Sequence, residues 1–113
     1  MIRAATRLVF EPHWVKAARL NYVGSENSLI DPFAFPANGD LAGLPPVYVL
    51  NAEFDTLRLS GEDFAVRMAA AGGKVQCECL PATVHGFLNT PQKERSADGI
   101  ARIVRWLKSA KPR

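Results

Sequence analysis

The six residues Val47-Tyr48-Val49-Leu50-Asn51-Ala52 constrain the fold of this chain more than any others. The run is β-prone and does not alternate polar with apolar. It therefore predicts a strand covered on both faces, as in a parallel sheet. The next segment, Ser60 to Ala71, carries an apolar stripe of Phe64, Ala65, Met68, Ala69 and Ala71, and Gly72-Gly73 ends it. Ser60 and Asp63 have the spacing of a capping box, which puts the helix start at Ser60. Residues 74–80 then alternate, with Val75, Cys77 and Cys79 facing one way and Lys74, Gln76 and Glu78 the other. A strand charged on one face suits a sheet edge. Strand, helix and strand joined by a crossover of this length form a parallel βαβ unit, right-handed by default.

A last helix is predicted at about Ser96–Ser109. Ile100, Ile103, Val104 and Leu107 recur at i, i+3, i+4 and i+7, with Trp106 close by and Arg102, Arg105 and Lys108 outward. It returns over one face of the sheet, the grammar of an α/β fold. Upstream, residues 11–23 read as a short helix. Pro12 suits its first turn, Trp14, Val15, Ala18 and Tyr22 follow at roughly helical spacing, and Gly24 is its stop. Residues 25–46 hold Pro32, Pro36, Pro45 and Pro46 and read as an irregular loop. Loops this long in a compact domain are functional or wrap over something. The chain thus reads as one domain over 1–113, with a helical segment at 7–24, a Pro-rich loop at 25–46 and a βαβα core at 47–108.

Several function classes drop out on composition. A hydrophobic content of 48% excludes a disordered tail. No run of about 18 apolar residues is present to span a membrane. The net charge of +3 comes from scattered basic residues, concentrated only in the last helix, where they complement the carbonyl end of its dipole. No nucleic-acid partner is expected from that pattern. Cys77 and Cys79, two apart on a strand, sit near the upper limit for a disulfide, which argues against a bridge. Two thiols with the distant His13 and His85 make no metal-ligand pattern, and no cofactor is called for. The opening MIRAATRLVF lacks an apolar core of signal-peptide length, so a reducing cytoplasmic setting is the expectation.

In open α/β sheets, chemistry gathers in the loops beyond the carboxyl ends of the strands. Asp55 follows the first strand in Glu53-Phe54-Asp55-Thr56-Leu57-Arg58, and His85 follows the second in Thr83-Val84-His85-Gly86-Phe87. Neighbouring parallel strands bring both loops to one sheet edge. A carboxylate against an imidazole fixes the ring tautomer and stabilises the imidazolium formed when the ring takes a proton. Spacing alone leaves other roles open: a loop aspartate also serves as a turn or cap, and a lone histidine as a surface or core polar group.

Residues 43–88 resemble the C-terminal part of α/β-hydrolases of the hormone-sensitive-lipase-like esterase group. That group reads GLPP, an apolar strand, a D-P-L-R-D-E-G acid loop, a helix, a strand and a G-x-x-H-G-F loop. Asp31-Pro32 through Pro36 also resembles its D-P-x-x-S-P segment, and the likeness extends over about residues 7–108. The resemblance implies that Asp55 is the acid and His85 the general base of a carboxylic-ester hydrolase. It further implies that Trp14, Phe33, Phe87 and Leu88 border a hydrophobic ester substrate. Thr56 replaces the group's proline, Leu59-Ser60 its acidic pair and Phe35 its serine, but acid and base remain. On the resemblance, 113 residues are about half of what such a fold takes.

The group's nucleophile elbow, G-x-S-x-G, does not occur in this sequence: Ser25, Ser28, Ser60, Ser96 and Ser109 all lack the flanking glycines. An H-G-G-G oxyanion motif is missing too. Ser60 reads as a helix cap rather than a nucleophile. The isolated chain is accordingly expected to be inactive, with a missing N-terminal half supplying the serine. Two alternatives stand beside this. One is a non-catalytic domain that forms a homodimer through the exposed strand 47–52. The other is a small-molecule-binding module lined by Trp14, Phe33, Phe35, Phe54 and Phe87.

Overall fold

The computed structural model describes residues 12–89 and 93–110. Helix α1 (Pro12–Val23) is followed by 3-10 turns at Glu26–Ile30 and Pro36–Asn38, then strand β1 (Val47–Ala52), helix α2 (Arg58–Ala70) and strand β2 (Val75–Leu80). A 3-10 turn at Phe87–Asn89 leads into helix α3 (Lys93–Ser109). The strands pair in parallel from Val47 opposite Val75 to Ala52 opposite Leu80, as a two-stranded sheet. The βαβ unit and the α/β class expected from residues 47–80 are therefore present.

The sheet is covered unevenly. Val49 and Asn51 face α2, where Gly61 lets the helix approach so closely that a Cβ there would lie 2.6 Å from the Asn51 side chain. Tyr48 and Leu50 face α3, where Tyr48 stacks on Trp106 with ring centroids 5.5 Å apart. The core lies between: Ala52, Leu80 and Phe87 form its centre with Leu50 packed against them, and Met68 of α2 is fully buried. All of β1 but Ala52 is only half-buried.

Several local expectations are not met. α2 begins at Arg58, not Ser60, so the capping box does not form, and Ser60 lies inside the helix with its hydroxyl donating to the Leu57 carbonyl at 2.8 Å. The reason is Asp55, whose carboxylate accepts from the Leu57 N–H at 2.8 Å and supplies the turn that opens the helix. The charged face of β2 is not solvated throughout: Glu78 turns toward α3 and accepts from Tyr48 Oη at 2.8 Å and Arg102 at 3.0 Å. Arg102 accordingly points inward, and the apolar stripe beside it stays open, with Ile100 50%, Val104 42% and Leu107 58% exposed. Cys77 and Cys79 are exposed and not bridged to one another. α1 buries no residue, and Trp14 and Tyr22 stand largely in solvent, although Gly24 ends the helix as expected, with φ +81° and its N–H on the Leu20 carbonyl at 2.7 Å. Among the described residues no helix is long and apolar enough to cross a membrane.

Candidate active site

The loops after β1 and β2 are stitched together before either presents a functional side chain. Glu53 N–H donates to the Thr83 hydroxyl at 3.3 Å and Phe54 N–H to the Thr83 carbonyl at 2.9 Å. In return the Glu53 carboxylate accepts from the Ala82 N–H at 2.9 Å, which holds Ala82 in the left-handed region at φ 56°. Thr83 is fully buried, and its hydroxyl also donates to the Leu80 carbonyl at 2.6 Å. A buried hydroxyl that both donates and accepts leaves no polar group unsatisfied and makes the clamp rigid.

That clamp sets Asp55 beside His85. Asp55 Oδ2 lies 2.8 Å from His85 Nδ1, while Oδ1 is occupied by the Leu57 N–H. Both carboxylate oxygens are thus committed, which fixes the plane of the group. The Asp55 side chain is 9% exposed and that of His85 46%. In the neutral ring, Nδ1–H donates to the carboxylate, and the lone pair that can accept a proton sits on Nε2. Gly86, at φ +77°, makes the sharp turn after the histidine that leads Phe87 into the core. The positive charge of Arg58 is spent elsewhere: it pairs with Glu62 at 2.9 Å and donates to the Glu53 carbonyl at 3.3 Å, bracing the loop from outside.

Phe87 and Leu88 line the hollow of about 350 Å³ that contains Asp55 and His85, together with Leu50, Leu57 and Ser60. The structure does not bring Trp14 or Phe33 there. Trp14 faces a neighbouring, mainly apolar hollow of about 990 Å³ between α1 and α2, shared with Phe35 and Phe64 and adjoining the first at Leu57 and Ser60, and Phe33 is 98% exposed on a turn closed by Asp31. Among the described residues, no group of three or more His, Cys, Asp or Glu side chains could hold a metal. Sequence reasoning missed Glu53, Thr83 and the Leu57 N–H as positioning groups. The clustering of polar residues right after the two strands was the signal for them.

Residues 2–89 match the family described as alpha/beta hydrolase fold. The chain is 38% identical over 88 residues to the carboxylesterase NlhH of Mycobacterium tuberculosis, covering 74% of this chain and 28% of that protein. It is 35% identical over 75 residues to an arylesterase of Saccharolobus solfataricus, covering 66% of this chain and 24% of that protein. The solved esterase of Pyrobaculum calidifontis superposes with a TM-score of 0.70 at 31% identity, over 75% of this chain and 28% of that structure. The matched part of this chain spans about a quarter of the length of these relatives.

Proposed function

Because this chain belongs to the α/β-hydrolase fold family, we propose that Asp55 and His85 are the acid and base of a carboxylic-ester hydrolase whose serine lies outside these 113 residues. The 2.8 Å contact between His85 Nδ1 and Asp55 Oδ2 carries the reading, with the second carboxylate oxygen held by the Leu57 N–H. His85 Nε2 takes the serine proton as the serine oxygen attacks the ester carbonyl, and then returns it to the departing alcohol. Water, deprotonated by the same nitrogen, releases the acid and frees the serine. Asp55 holds the ring and stabilises its charge through both steps. Phe87 and Leu88 supply apolar wall beside the base, which suits a hydrophobic ester. A reducing, cytoplasmic setting goes with this reading and is favoured by the two free, exposed thiols.

These 113 residues alone contain no G-x-S-x-G, and the isolated chain should hydrolyse p-nitrophenyl butyrate at the rate of buffer. The deciding experiment replaces the matching segment of the Pyrobaculum calidifontis esterase with this chain. A folded chimera should hydrolyse the ester, and His85→Ala should lower kcat by about 10²–10⁴ with a smaller effect on KM. A chimera that melts cooperatively yet is inactive, or one indifferent to His85→Ala, refutes the assignment.

A further inference from the structure

Cys77 and Cys79 take no part in the proposed hydrolysis, and both are exposed. β2 pairs with β1 so that Cys77 lies opposite Val49 and Cys79 opposite Asn51. Residues two apart on a strand share a face, so both sulfurs stand on one side of the sheet. That side is the one α2 lies on. The Asn51 amide donates to Cys77 Sγ at 3.6 Å, and Arg58, at the start of α2, donates to Cys79 Sγ at 3.8 Å. The ladder fixes both backbones, so the separation of the two thiols is set by the strand and not by a pliant loop.

That separation decides which bridge can form. Two same-face positions of a strand are about 6.6 Å apart, whereas a disulfide needs Cβ atoms within about 4.5 Å. A cation between the sulfurs reaches further. Two metal–thiolate bonds of about 2.3 Å laid end to end span about 4.6 Å, which the pair meets when each side chain leans inward by about 1 Å. Thiolate is a soft ligand and selects Cu(I). Zn(II) takes four ligands in a closed site, and among the described residues no group of three or more metal-ligating side chains is present.

The charges around the pair favour a cation between the sulfurs. Burial, then the negative charges of Glu62 and Cys79, push the Cys77 thiol up. A bare dithiolate is disfavoured by repulsion between its own sulfurs, and a cation seated between them turns that repulsion into attraction. Arg58, beside Cys79 Sγ, offsets negative charge left on the complex. Neither cysteine lines the hollow that holds Asp55 and His85.

We propose that Cys77 and Cys79 form a two-coordinate site for a soft monovalent cation, Cu(I), held across one face of β2. On binding, each thiol releases its proton to water and each sulfur donates an electron pair to the metal. The complex carries one negative charge, and no electron is transferred. The inference does not rest on the ester reading.

Anaerobic titration of the full chain with Cu(I), against bicinchoninate as competing chelator, tests it. One copper should bind per chain. Two ligands on one frame exceed a single one by about 10²–10⁴ in affinity, so Cys77→Ser and Cys79→Ser should each weaken binding by that factor. A third variant, Cys77→Ser with Gln76→Cys, keeps two thiols but places them on opposite faces of β2, and should bind as weakly as the single variants. All three positions are exposed, so the far-UV spectrum should stay unchanged. Full affinity in either single variant overturns the proposal. So does full affinity in the third, because two thiols would then suffice without the strand geometry. Two independent coppers per chain, or copper-linked dimers in sedimentation, overturn it as well.

Discussion

Gly99 sits in the middle of α3 and tests whether packing or helix propensity governs the contact that anchors the histidine loop. Alanine is favoured over glycine inside a helix by about 1 kcal/mol, so on propensity alone Gly99→Ala stabilises. The structure predicts the opposite sign. A Cβ at this position would lie 2.6 Å from Phe87 Cε2, 2.9 Å from Leu88 Cδ2 and 3.1 Å from Phe87 Cζ. Leu88 can rotate away. Phe87 cannot, because its ring is 5% exposed and forms the core with Ala52 and Leu80. Recovering an ordinary contact requires a shift of nearly 1 Å by either the ring or the helix. Overpacking of that kind costs about 1–3 kcal/mol, so it cancels the propensity gain and leaves a net loss of up to about 2 kcal/mol. For a chain of this length that lowers Tm by up to about 15 °C. Thermal and urea unfolding followed by circular dichroism gives the number. Phe87→Leu makes room for the new methyl, so the double variant should lose clearly less than the sum of the two single losses. A Gly99→Ala protein that is more stable by about 1 kcal/mol would refute the close approach of α3 to the Phe87 turn.

Two further outcomes follow from the core and from the polar contact under α3. Met68 is fully buried, so Met68→Ala should cost about 2–5 kcal/mol in guanidinium unfolding, and a loss below about 1 kcal/mol counts against its central place. The Glu78 carboxyl is held below its ordinary value, chiefly by the Tyr48 hydroxyl and then by Arg102 and Gln76. A lowered value in the folded state adds stability above the ordinary glutamate range, and that gain vanishes as pH falls through the folded value. Unfolding free energies measured from pH 7 down to 3 should therefore fall less steeply in Glu78→Gln than in the parent; parallel curves contradict the contact. Burial, with the same bond second to it, pushes the Tyr48 phenol up to about 12. Its stabilising share is complete below pH 10 and is lost as pH rises toward 12, so absorbance at 295 nm should show one tyrosine ionising near 12.

How much of this was legible in the sequence depended on the range of the interaction involved. The strands, their parallel pairing and the meeting of Asp55 with His85 required only that two β-prone runs flank one helix, because parallel neighbours deliver both following loops to the same end. Single-element patterns were less reliable wherever another element competed for the same group. Ser60 and Asp63 have the spacing of a cap, but the Asp55 carboxylate opens the helix earlier, and Asp63 pairs with Arg67 at 2.8 Å instead. Arg102 has the spacing of an outward residue, but it reaches a carboxylate on β2 that no helical periodicity can foresee.

Trp14 and Phe33 mark the harder limit. Their expected places beside a substrate came from resemblance, and the path from α1 through residues 24–46 to β1 holds only short 3-10 turns, whose local hydrogen bonds set no direction relative to the sheet. What orients such a segment is the surface it lies on. Here Arg19 stacks on Phe35, 4.7 Å from the ring centre, and Arg67 donates to the Ala37 carbonyl at 3.3 Å, so the segment is held at its C-terminal half by α1 and α2 while Phe33 has nothing to pack against. The same asymmetry runs through the molecule. The groups that position Asp55 and His85 come from two adjacent loops and are satisfied within this chain, whereas the apolar groups that would enclose an ester or seal the sheet edge are the ones left exposed. An acid–base pair can be complete in a fragment of sheet, because it needs one strand neighbour; a binding wall cannot, because it needs the next layer of protein.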